Sequence, residues 1–111
     1  MTTWTDIGTL DDIPRLGART VTTALGEVAV FRTADDAVFA LVNRCPHRGG
    51  PLSEGIVAGR KVACPLHNWV IDLTTGNADA PDEGCTTSVP VRLKDGRLWL
   101  GPADARRVPH G

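Results

Sequence analysis

No apolar run in the 111-residue chain approaches the ~20 residues needed to cross a bilayer, so no membrane segment is expected. Charge of one sign is also lacking: the net charge is −1, which gives no electrostatic basis for binding nucleic acid. Cysteine is scarce and odd in number, three in all, which argues against a disulfide framework and fits a reducing cytoplasm. The first residues (Met1, Thr2, Thr3, Trp4, Thr5, Asp6) have neither a basic region nor an apolar stretch, so no signal peptide is expected. No serine–histidine–acid set, paired carboxylates, G-x-G-x-x-G or G-x-x-x-x-G-K-[ST] motif emerges. A nicotinamide, flavin or substrate pocket of its own is therefore not expected, and no catalytic residue is assigned. Internal repeats are absent too. The length fits one domain with a single core, read as residues 1–101, followed by a tail over 102–111 that holds Arg106, Arg107 and His110.

What is present is a succession of short apolar runs punctuated by turn residues, which reads as all-β, a β-sandwich or small barrel. Strands are expected at 4–7, 19–24, 27–33, 37–42, 56–58, 61–63, 69–73, 87–93 and 97–100. Residues 10–14 read as a turn or one helical turn stopped by Pro14. The run 27–33 has apolar residues at both parities, so both of its faces are expected to be covered. Residues 43–55 and 64–68 are left as loops joined by the 56–63 hairpin, and residues 77–85 form a Pro- and Gly-containing loop.

The two loops carry the chemistry. Cys45-Pro46-His47 is followed, after sixteen residues, by Cys64-Pro65-Leu66-His67. Each loop offers one thiolate and one imidazole, the donor set of a mixed-ligand [2Fe–2S] centre in which two cysteines hold one iron and two histidines the other. Two ferric irons, two sulfides, two thiolates and two neutral imidazoles sum to zero charge, so an electron is added more easily than to a four-thiolate core of charge −2. Such centres span about −150 to +300 mV, against about −400 mV for plant-type ferredoxins. The competing reading is a structural zinc site, although zinc knuckles more often group like ligands as C-x₂₋₄-C and H-x₃₋₅-H. The cluster-binding part is placed at residues 43–85.

Around the ligands, Pro46 and Pro65 each follow a cysteine and restrict the backbone beside it. Gly49 and Gly50 allow close backbone approach to sulfide, or make a tight turn before Pro51. Trp69 either covers the histidine-bearing edge or is a core aromatic on an alternating strand. Cys85 is expected to be a small buried hydrophobe.

The pattern Cys45-Pro46-His47-Arg48-Gly49-Gly50-Pro51-Leu52, Cys64-Pro65-Leu66-His67-Asn68-Trp69 and Leu73-Thr74-Thr75-Gly76 resembles the Rieske family. Trp4-Thr5-Asp6-Ile7, the Pro-Leu-His-Asn-Trp of the second loop and Asp82-Glu83-Gly84-Cys85 make the chain similar to the small subunits of assimilatory NAD(P)H-dependent nitrite reductases. The resemblance implies one Rieske [2Fe–2S] cluster on Cys45, His47, Cys64 and His67, with Pro81 in a loop folded over it. It also implies a large partner subunit carrying flavin, sirohaem and a [4Fe–4S] cluster, which reduces nitrite to ammonium in nitrate assimilation. Respiratory Rieske proteins bridge their two loops by a disulfide; here the matching positions are Gly50 and Leu66, so that bridge cannot form. A stand-alone ferredoxin supplying a ring-hydroxylating dioxygenase shares length, ligands and fold, and stays open as a reading. So does a zinc-stabilised interaction module without redox activity.

Overall fold

The computed structural model describes residues 4–46, 49–65, 68–79 and 84–101. The tail expected over 102–111 lies outside them. Among the described residues ten strands form three antiparallel sheets. The first joins β1 (Thr5–Thr9), β10 (Arg97–Leu100) and β9 (Val91–Lys94) in that order. The second orders β2 (Ala18–Thr23), β3 (Gly26–Arg32), β4 (Val38–Val42) and β8 (Ser88–Val89). The third is β5 (Ile56–Ala58), β6 (Lys61–Ala63) and β7 (Val70–Asp72).

Tight turns set these registers. Lys94 pairs with Arg97 across Asp95-Gly96, both at positive φ (53° and 78°), the backbone that a two-residue hairpin with right-handed strand twist requires. Ala58 pairs with Lys61 across Gly59-Arg60, and Thr23 with Gly26 across Ala24-Leu25. The expected helical turn is a 3-10 helix at Leu10–Asp12, closed by the Ile13 N–H donating to the Leu10 carbonyl (3.1 Å).

The four-stranded sheet is the middle of three layers, because β3 is buried on both faces from Val28 to Arg32. Ala29 and Phe31 point into one core with Leu41, Leu52, Val57, Val62, Ile71 and Leu73. Val28 and Val30 point into the other with Ile7, Ile13, Ala40, Leu98 and Leu100. Period-two alternation thus feeds two cores from one strand. Arg32, at the end of β3, is buried and donates through Nη1 to the carbonyls of Leu10 (3.2 Å) and Ile13 (2.8 Å). Its guanidinium also meets Asp36 Oδ1 (2.9 Å), the same oxygen that Arg15 Nε bonds (3.1 Å).

One expected strand is two. The run 87–93 breaks at Pro90, so that β8 pairs with β4 in the middle sheet while β9 pairs with β10 in the outer one. Proline has no N–H to continue a ladder. Its carbonyl instead accepts from the Gly101 N–H (2.7 Å), which ties the end of β10 to the crossing point.

Candidate metal centre

The first loop leaves β4 at Asn43, whose buried amide spans the loop. Its Nδ2 donates to the Glu27 carboxylate (2.7 Å) and to Ser53 Oγ (3.0 Å), and its Oδ1 accepts from the Ser53 N–H (2.8 Å). Within that frame the Cys45 N–H donates to the Gly50 carbonyl and the Gly49 N–H to the Cys45 carbonyl, both at 2.8 Å. In the second loop the Cys64 N–H donates to the Trp69 carbonyl (2.7 Å). The two loops therefore close alike, each cysteine N–H reaching the carbonyl five residues on. The residue four on is left-handed in both, Gly49 at φ 69° and Asn68 at φ 57°. Glycine adopts that backbone freely, and asparagine tolerates it better than most residues.

Packing holds the loops to one another. Gly55, at the end of the first, lies so close to the Ala63 carbonyl that any side chain there would collide with it. Ala63 is the residue before Cys64, and it pairs with Ile56 across the β5–β6 hairpin. Cys45 (3% exposed) and Cys64 (0%) belong to the same core as Phe31 and Leu41, so both sulfurs are largely withdrawn from water. Burial of this degree limits solvent access to whatever the sulfurs bind.

The remaining expected site residues are distributed as follows. Pro46 is half-buried, Gly50 is buried, and Gly49 and Pro65 are exposed. Trp69 is half-buried against the cysteine core. Gly84 sits on both: a Cβ there would lie 3.0 Å from the Pro46 Cβ and 3.9 Å from the Trp69 ring. The backbone near the end of the 77–85 loop thus lies against Pro46 and Trp69 together, and glycine at φ 136° permits that approach. This contact escaped the sequence reading, in which Gly84 was only one letter of a resemblance. His47, His67 and Pro81 lie outside the described residues. Cys85 is half-buried rather than buried, bridged backbone to backbone with Asn77.

Ion pairs brace the flank of the β5–β6–β7 sheet, whose middle strand runs into Cys64. Lys61 on β6 contacts Asp79 at 2.5 Å, and that carboxylate raises the lysine's pKa. Arg60 pairs with Asp35 (3.6 Å) and lies 5.4 Å over the Phe39 ring. Two surface grooves of about 250 and about 390 Å³ lie elsewhere, lined by aliphatic, Thr, Ser and Phe39 side chains with no ionisable group. Neither groove offers an acid or a base to a substrate.

Residues 3–90 match the model of the Rieske [2Fe–2S] domain, a span that encloses both loops. The chain belongs to the Rieske [2Fe–2S] domain family, whose members are electron-transfer domains holding one cluster of this type. It is 32% identical over 98 residues to the ferredoxin component of the naphthalene 1,2-dioxygenase/salicylate 5-hydroxylase systems of Ralstonia sp, covering 87% of this chain and 93% of that protein. Among solved structures it is similar to a proposed NADH-dependent nitrite reductase small subunit from Mycobacterium tuberculosis (TM-score 0.78, 26% identity, 93% and 97% of the two chains). It is likewise similar to the ferredoxin of carbazole 1,9a-dioxygenase from Nocardioides aromaticivorans IC177 (TM-score 0.80, 25% identity, 90% and 98%). Some other curated relatives are far longer. The chain spans 18% of the oxidoreductase NdmD of Pseudomonas putida, to which it is 32% identical over 105 residues covering 86% of this chain. Among the described residues no helix is long and apolar enough to cross a membrane.

Proposed function

We propose that Cys45 and Cys64 hold one iron of the cluster and His47 and His67 the other, and that the chain relays single electrons as the small subunit of an NAD(P)H-dependent nitrite reductase. The observation that carries the ligand assignment is the like closure of the two loops around cysteines buried in one core. The donor set fits: two buried thiolates supply the charge of one end, and two neutral imidazoles in the same loops would complete the other. When bound, the cluster accepts and returns one electron at a time. The chain's own residues bind it, exclude water and hold the loops still. Pro46, Gly49, Gly50, Pro65, Trp69 and Pro81 are assigned to its surroundings. Residues 1–101 are taken as one domain, with 43–85 as the cluster-binding part, working in the cytoplasm.

The nitrite reductase reading is supported by a likeness that spans nearly all of both chains, and by Pro65-Leu66-His67-Asn68-Trp69 and Asp82-Glu83-Gly84-Cys85. Its partner would be the large subunit bearing flavin, sirohaem and a [4Fe–4S] cluster. The second reading, a ferredoxin serving a ring-hydroxylating dioxygenase, is favoured by the near full-length match to the Ralstonia ferredoxin. An anaerobic pull-down from the native cell separates them: a large sirohaem protein supports the first, an oxygenase the second. Iron and acid-labile sulfide analysis tests the ligands. About two of each per chain are expected. Both should be lost in Cys64→Ser and His67→Ala and kept in Cys85→Ser; a colourless, sulfide-free zinc protein would overturn the assignment.

A further inference from the structure

The sheet β1–β10–β9 turns its inner rows, Leu98, Leu100 and Val91 among them, into the core that lies across the middle sheet from the cysteines. Its outer rows are set by the register. Asp6, Trp99 and Arg92 lie in one row, and Thr9, Arg97 and Lys94 in the next. Trp4, just before β1, adds a second indole, with the Arg92 guanidinium 4.3 Å from its ring centroid. Both tryptophans are half-buried, and neither belongs to or packs against either core. Part of each indole is thus left at the surface.

The cations on this face are only partly paired. Arg92, Lys94 and Arg97 are exposed; Asp6 takes Arg97 in a two-pronged bond (2.6 and 3.1 Å), Asp12 also lies near enough to act on Arg97, and exposed Asp95 sits in the turn between Lys94 and Arg97. Among the described residues no ion pair neutralises Arg92 or Lys94. Lys94 stands directly opposite Arg97, and like charges in that relation destabilise a sheet. Two exposed cations without an ion pair among the described residues, Arg92 and Lys94, thus stand beside two tryptophans on a single face. Tryptophan and arginine are the residues most enriched where protein partners bind tightly.

We propose that this face docks a carboxylate-bearing surface of a protein partner. Acidic side chains would pair with Arg92 and Lys94 and relieve the repulsion between Lys94 and Arg97. The flanking indoles would supply apolar contact. The middle sheet separates the face from the cysteine core, so a partner held here leaves the two loops uncovered. The inference does not depend on which redox partner the chain serves. A nucleic acid is disfavoured because the cations form a short cluster rather than a stripe.

The test is a titration of the intact, cluster-loaded chain with hexaglutamate, following the indole N–H signals of Trp4, Trp69 and Trp99 by NMR, assigned with Trp4→Phe and Trp99→Phe. The signals of Trp4 and Trp99 are expected to shift while that of Trp69, beside the loops, stays in place. Raising the salt from about 20 to about 300 mM should abolish the shifts, because exposed charges are screened over a few ångströms there. Arg92→Gln/Lys94→Gln should weaken binding at least about fivefold. Arg92→Glu/Lys94→Glu should lose hexaglutamate and bind hexalysine, which keeps the test decisive if the first pair binds weakly for other reasons. An unchanged Trp69 signal reports that each variant is folded. Shifts absent from Trp4 and Trp99, or tighter binding to a single-stranded DNA dodecamer or to phosphatidylglycerol vesicles than to hexaglutamate, would overturn the proposal.

Discussion

Asn43 braces the first loop with one buried amide. Its three bonds fix the distance between the start of the first loop and Ser53 near its end, and anchor both to Glu27 on β3. Alanine there would leave the Ser53 N–H and the Glu27 carboxylate without their partner. Asn43→Ala is expected to lower stability by about 0.5–1.5 kcal/mol, the usual net worth of a hydrogen bond whose partners stay partly open to water, and to speed loss of the cluster in air. A denaturation midpoint and the decay of visible absorbance check both. A variant as stable and as slow to bleach as the parent would show that the amide does not hold the loop. The sequence offered no sign of this role, since an asparagine after a strand reads as an ordinary turn residue. The ligand spacing was legible, because thiolate and imidazole at close intervals have few other uses. The shared backbone closure of the loops was not. It joins glycine in one loop to asparagine in the other, and the histidines sit two and three residues after their cysteines.

Elements here are joined through charged side chains at their ends, which makes the scaffold sensitive to acid. Asp36, in the turn between β3 and β4, accepts bonds from Arg15 and Arg32, and these hold its carboxyl below the usual carboxylate range. A carboxylate whose pKa is depressed on folding contributes stability that is fully present above its unfolded value, about 3.9, and is lost as pH falls through the lower folded value. Stability should therefore drop below about pH 4, and Asp36→Asn should be less stable than the parent at neutral pH but nearly equal to it in acid. Thermal melts across pH 2–7 (roughly the span of carboxylate titration) measure this, and a constant gap between the two proteins would contradict it. At this scale the hairpins were readable because two-residue turns announce themselves; the 56–58 and 61–63 strands match their expected bounds. The 87–93 run was misread as one strand. Alternation continues through Pro90, and only the missing N–H makes the chain change sheets there.

In the whole molecule, three thin layers set the cysteine loops on one side and the tryptophan-bearing face on the other. The all-β class followed from turn spacing, whereas the layering did not. It depends on which face of β3 meets which sheet, and both faces are apolar. The division matters for function: the middle sheet is covered on both sides, so it can hold the loops rigid while the electron count changes. The central claim is that a cluster sits there between unlike ligands, two thiolates and two imidazoles. A redox titration of the cluster-bearing chain, followed by its visible spectrum, tests this most directly. A one-electron midpoint potential between about −150 and +300 mV is expected, as neutral histidine ligation of one iron requires. A midpoint near about −400 mV, the range of four-thiolate clusters, would contradict it.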